Sequence, residues 1–139
     1  MNAFFDSSAL AKRYIEEKGS DQVQAILSSA SALAVSVICV PEIVSALCRR
    51  RRERKLSTEE YRNARSSLLS DIDDATVIGI TEEVIAQAVG LLERFPLHSA
   101  DALHIACASE WSTDLFVSAD DRQCKAARAC GLRVEAIKS

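Results

Sequence analysis

Four acidic residues carry the chemistry this sequence can support: Asp6, Glu42, Asp101 and Asp120. Asp6 closes a short apolar run, Ala3-Phe4-Phe5, and Ser7-Ser8-Ala9-Leu10 follows at once as a helix start. A carboxylate at such a strand-to-helix junction lies in the crevice where open α/β sheets bind ligands. Asp120 occupies the same kind of junction, after the run Leu115-Phe116-Val117-Ser118. Glu42 follows Pro41 in the first turn of one helix, and Asp101 follows Ser99 in the first turn of another. Helices in alternating α/β architectures run antiparallel to the strands. Their N-termini therefore share one edge of the sheet with the carboxyl ends of the strands, and the spacing predicts four acids at that edge.

Taken singly, each acid has an ordinary structural role. Asp6 and Asp120 can cap the helices that follow them, and Glu42 and Asp101 sit where a helix dipole favours negative charge. Their joint occurrence points further. At an effective dielectric of about 20, two like charges about 4 Å apart repel by roughly 4 kcal/mol, so a cluster of four calls for a cation. An oxygen-only ligand set without His or Cys suits magnesium or manganese and disfavours zinc. Ser8 and Ser118 are placed either to orient these carboxylates through their hydroxyls or to act as simple helix-start hydroxyls. Asp120 directly follows Ser118-Ala119 and is the expected ligand, with the adjacent Asp121 leaving that assignment open.

The elements that must position these side chains alternate along the chain. Strands are predicted over 2–5, 33–37, 75–80, 115–118 and 133–137. Helices are predicted over 7–17, 21–30, 38–55, 57–73, 82–95, 100–111 and 121–130. Local signals mark their ends: Gly19 and Gly131 as stops, Pro41 in a first helical turn, Pro96 after a last one, and Thr81 as a cap. Ser57-Thr58-Glu59-Glu60 reads as a capping box, and Ser20 as a further cap. The alternation predicts a mainly parallel central sheet with helices on both faces, in a single domain spanning residues 1–139. The adjacent helices at 38–55 and 57–73 interrupt it as a helical hairpin, expected to form an arm or a dimer surface.

Composition narrows the class. Of 139 residues, 48% are hydrophobic and 27% charged, which fits a globular chain rather than a disordered one. No apolar run approaches the roughly 20 residues needed to span a bilayer, and the N-terminus shows no basic segment or cleavage site, so a cytoplasmic protein is expected. Five cysteines without a C-x-x-C pair argue against a disulfide framework or a zinc site. The net charge of −3 does not advertise nucleic-acid binding, so any such contact must come from a local patch. Arg49-Arg50-Arg51-Arg52 with Arg54 and Lys55 is the one dense basic run. Six cations there cover most of a helix circumference. They read as a solvated helix end, a phosphate-contacting rim, or a dock for an acidic segment. Arg13, Arg122 and Arg128 are further candidates for an RNA track. His104, three residues after Asp101, is expected to pack or hydrogen-bond rather than bind metal.

The ordered set Phe5-Asp6-Ser7-Ser8-Ala9-Leu10 with Lys12 and Tyr14, Pro41-Glu42, Asp101-Ala102-Leu103-His104 and Ser118-Ala119-Asp120 resembles the PIN-domain family, and within it the VapC-type toxins of toxin–antitoxin pairs. The likeness extends over nearly the whole chain, and although each motif is short, their order is specific. Ser118-Ala119 departs from the Thr with a different middle residue that is common in relatives, but keeps the hydroxyl. The resemblance implies a three-layer α/β/α fold and a magnesium- or manganese-dependent endoribonuclease. Asp6, Glu42, Asp101 and Asp120 would hold metal and water, and Glu42 or Asp101 would accept a proton. Hydrolysis would leave a 5′-phosphate and a 3′-hydroxyl. A cognate antitoxin with a cationic segment for the acidic cleft, and a homodimer, are also implied. Two other readings remain open. A haloacid-dehalogenase-like phosphohydrolase would use Asp6 as nucleophile and Asp120-Asp121 as its later pair, but needs an acid where Ser8 stands. A non-catalytic binding module would use the acids only as caps.

Overall fold

β1 (Asn2–Phe5) is the centre of the molecule, a computed structural model describing residues 1–139. It pairs in parallel with β2 (Ala32–Ser36) on one side and β4 (Leu115–Ser118) on the other. β3 (Thr76–Ile78) and β5 (Val134–Ala136) complete a five-stranded parallel sheet in the order β3-β2-β1-β4-β5. The chain winds outward from β1 through β2 to β3, then crosses back to β4. The strand order therefore reverses between β1 and β4, and the crevice outside that point is where such sheets place ligands.

The apolar runs of β1 and β4 are buried on both faces, as parallel strands between two helical layers must be. Alternate residues part company. Ala3, Phe5, Val35, Leu115 and Val117 enter one core, while Phe4, Ala34 and Phe116 enter the other. Phe4 and Phe116 are in register on neighbouring strands, and their rings stack at 5.7 Å. Truncating either to Ala would cost about 3–5 kcal/mol.

The first layer holds α1 (Ser7–Leu10), α2 (Ser20–Ser29), α3 (Cys39–Arg52) and α4 (Thr58–Asp73). Leu47 of α3 and Tyr61, Ala64 and Leu68 of α4 are buried in that core, so the α3–α4 pair belongs to the body of the fold rather than forming a free arm. The second layer holds α5 (Glu82–Arg94), α6 (Ser99–Glu110) and α7 (Asp121–Ala129). This is the three-layer α/β/α arrangement that the alternation predicts.

Caps read from sequence are in place at Ser57, where the reciprocal box with Glu60 forms, and at Thr81, which accepts from the Val84 N–H. Three expectations need correction. The helix predicted over 7–17 ends at Leu10, followed by a 3-10 turn at Ala11–Arg13. Polar contacts hold the segment beyond it in a loop: Lys12 Nζ donates to the Lys18 carbonyl and Glu17, and Ser20 Oγ donates to the Ile15 carbonyl. Gly19, not Ser20, precedes α2 as its cap, at φ 95°, and a side chain there would strike the Lys138 carbonyl and Ile137. The helix predicted over 38–55 ends at Arg52, and Arg54 just beyond it takes a positive φ of 60°.

Candidate active site

Asp6 follows the last residue of β1 and caps α1 by accepting from the Ala9 N–H at 2.9 Å. It is fully buried, which a cap alone does not require. Three further hydrogen bonds fix its carboxylate. Ser8 Oγ lies 2.8 and 2.9 Å from the two oxygens, and Ser118 Oγ donates to Oδ2 at 2.6 Å. The two serines also tie β1 to β4, because Ser8 accepts from the Ala119 N–H and Ser118 from the Asp120 N–H. Burial pushes the Asp6 carboxyl above its ordinary range, outweighing the field of His104 and the hydrogen bonds from Ser118, Ala9 and Ser8. Asp6 forms no ion pair with Lys or Arg.

The other three acids lie around it, joined through neutral side chains. Asp120 caps α7 by accepting from the Gln123 N–H, and the Gln123 amide donates to Asp101 Oδ1 at 3.1 Å. Asp101 Oδ2 meanwhile accepts from the His98 N–H at the start of α6. On the opposite side, Ser7, next to Asp6, donates to Glu42 Oε1 at 2.6 Å. His104 Nε2 reaches the same oxygen at 2.6 Å. Burial opposes ionisation of Glu42, but the hydrogen bonds from His104 and Ser7 and the charge of the imidazole prevail and hold it below the usual range. Hydrogen bonds thus run from Asp101 through Gln123 to Asp120, and through Ser118 from Asp120 to Asp6. The chain continues from Asp6 to its neighbour Ser7, and so to Glu42.

The four acids are thus linked in an open chain of hydrogen bonds rather than gathered in a cage. No group of three or more His, Cys, Asp or Glu side chains is arranged to hold a metal ion directly. Asp6 and Asp120 cap α1 and α7, and Asp101 closes the capping box at the start of α6. Asp121 is the first residue of α7 and exposed, with no part in the linked set.

The predicted basic residues divide. Arg13 is bound to Asp71 and Gln24, and Arg50 to Glu17, so neither is free to follow a ligand backbone without breaking an ion pair. Arg49 differs, since it lines an open groove with Ile38, Pro41, Ser45, Ala46 and Glu42 itself. Arg122 is exposed on the first turn of α7, two residues after Asp120. Sequence reasoning assigned no role to Ser7 or Gln123, whereas His104 packs against Phe4 and hydrogen-bonds Glu42 as expected. Their one visible signal was proximity to the acids: Ser7 adjoins Asp6, His104 stands one helical turn from Asp101, and Gln123 three residues beyond Asp120.

The sequence profile of the PIN domain matches residues 3–129. The chain belongs to the PIN-domain family. Among relatives of the PIN chain, Ribonuclease VapC46 of Mycobacterium tuberculosis is 30% identical over 133 residues, covering 94% of each protein. The sarcin-ricin loop cleaving toxin VapC20 of the same organism superposes with a TM-score of 0.68 at 18% identity, over 94% of this chain and 95% of that one. A toxin–antitoxin complex from Klebsiella pneumoniae superposes at 0.66 with 16% identity, over 87% and 88%. Within the family the kinship is of VapC type. The dehalogenase-like alternative is not favoured, because Ser8 donates to Asp6 where that chemistry would need an acid.

Proposed function

We propose that this protein is a cytoplasmic magnesium- or manganese-dependent endoribonuclease, the toxin of a toxin–antitoxin pair, acting through Asp6, Glu42, Asp101 and Asp120. The observation that carries the reading is Asp6, a fully buried carboxylate without an ion-pair partner, at the point where strand order reverses. Three more acids are linked to it or to its neighbour. Four carboxylates are the oxygen donors a hard divalent cation takes, and they would have to draw closer around one, since no three of them are arranged to hold it directly. Asp6, Asp101, Asp120 and Glu42 would hold it, with Ser8 and Ser118 orienting Asp6.

When bound, the cation supplies a water of lowered pKa and neutralises phosphate charge. The chain's own residues do the rest. Ser8 and Ser118 lock the Asp6 carboxylate in one orientation, and Gln123 fixes Asp101 relative to Asp120. Glu42 or Asp101 would accept a proton from the attacking water. Cys39 is no competing nucleophile, because burial pushes its thiol up to about 12. Arg49 and Arg122 flank the crevice and contact the RNA backbone. Water adds across one phosphodiester bond, giving a 5′-phosphate and a 3′-hydroxyl.

The same acidic crevice suits an antitoxin segment bearing Lys or Arg, and the kinship with a known toxin–antitoxin complex supports such a partner, as well as a homodimeric toxin. The test is cleavage of total cellular RNA with magnesium or manganese, with mapping of the cut ends. Native protein should cut, and should stop in excess chelator and on adding the antitoxin. Cleavage that persists in chelator, or in Asp6→Asn, would overturn the reading.

A further inference from the structure

The Glu42 carboxylate is held asymmetrically. Oε1 takes both short hydrogen bonds, from Ser7 Oγ and His104 Nε2, each 2.6 Å long. Ser7 Oγ and the same imidazole nitrogen lie 3.3 Å apart, which closes a three-membered cluster. Oε2 takes no hydrogen bond from the protein, and the side chain is 37% exposed against 2% for His104. One oxygen is anchored and the other is left without a protein partner on a side chain that lines an open groove.

His104 is built for that single task. It is buried on α6, edge-on to Phe4 at 6.4 Å between ring centroids, and its Nδ1 has no partner. The arrangement is not a nucleophile–base–acid relay, because serine and carboxylate meet the same nitrogen. Only one ring N–H is needed, and it points at Glu42.

We infer that His104 and Ser7 are positioning residues that pin Glu42 through Oε1, so that Oε2 is the oxygen offered to the divalent cation. This inference rests on the cation reading above and adds two residues to it. Partners behind a ligand carboxylate restrict its rotation and raise its affinity, and their loss typically weakens metal binding by about 10–100-fold.

Calorimetric titration of the intact protein with manganese tests this without reference to RNA. Native protein should bind, and His104→Leu should bind about tenfold more weakly. His104→Gln, whose amide N–H can replace the ring N–H toward Oε1, should recover most of the loss. Ser7→Ala, a milder change should His104→Leu fail to fold, should weaken binding by about threefold. In a Glu42→Ala background, His104→Leu should cause no further loss, because its effect passes through Glu42. A purely structural role against Phe4 would instead weaken both backgrounds equally, and that result overturns the inference. Native affinity in both folded His104→Leu and Ser7→Ala overturns it as well, leaving the cation site intact. No manganese uptake by native protein overturns the cation reading itself, and this inference with it.

Discussion

The acidic edge of the sheet and the basic end of α3 treat charge in opposite ways. At the edge, Asp6 is buried with no counter-charge in contact, and neutral serines and a glutamine connect it to the other acids. Along α3 and its surroundings, exposed cations are neutralised in pairs: Arg50 with Glu17, Arg13 with Asp71, and Lys55 with Glu53. Arg51 and Arg65 instead lie over the Tyr61 ring. Surface pairs of this kind each contribute up to about 1 kcal/mol. The basic region is therefore partly compensated, with Arg49, Arg52 and Arg54 outside these pairs. The acidic region retains an unmet demand, as sites shaped for a ligand do. Density of charge in sequence is thus a poor guide to function here, and four scattered acids say more than a run of six cations.

The contrast breaks most visibly at Asp6. Asp6→Asn should lower RNA cleavage by about 10^3-fold, the scale on which a preorganised charge at a reaction centre matters. A fall of less than tenfold, measured under saturating manganese, would place the chemistry elsewhere.

Stability should move the other way. Because burial raises the Asp6 pKa in the folded protein above its ordinary value of 3.8, the folded state holds that proton more tightly than the unfolded state. This contribution to stability therefore falls as pH rises from near 3.8 through the raised value, and the full cost is present above it. Metal-free Asp6→Asn should melt several degrees higher than native protein at pH 7. The gap should close as pH falls toward 4, and magnesium should raise the native midpoint alone. Equal melting curves across that window would mean that the Asp6 charge is already compensated.

Smaller effects separate the two kinds of arginine. Arg49→Ala should weaken RNA binding and reduce its salt slope by about 0.7, the share of one single-strand phosphate contact. Arg13→Ala should leave that slope unchanged and lower stability by about 1 kcal/mol or less, because its partner is Asp71. Reversed results for the two variants would move the RNA track from the Glu42 groove to the α1–α4 side.

Most of the fold was legible because its signals are local. Phe4-Phe5 and Phe116-Val117 are short apolar runs, Ser57 and Glu60 announce a cap, and the order of elements specifies a parallel sheet. The early end of α1 was not legible, because long-range polar contacts decide it: Tyr14 reaches Asp71, 57 residues on. Within the site, the acids and the two serines that hold Asp6 could be read from their junctions, whereas the remaining supports could not. Ser7 meets Glu42 across 35 residues, His104 meets Glu42 across 62, and Gln123 meets Asp101 across 22. No period or motif encodes such pairings: Ser7–Glu42 and Gln123–Asp101 need neighbouring helices within a layer, and His104–Glu42 needs both layers in place.

The Ser8 and Ser118 contacts span 111 and 112 residues. The crevice around Asp6 is thus sewn shut by the penultimate strand of the sheet. A growing chain on the ribosome holds Asp6 and Glu42 early but lacks their enclosure until β4 has emerged and slid in beside β1. Truncation anywhere before β4 removes Ser118 and Ala119, and with them the contacts that enclose Asp6 and Ser8.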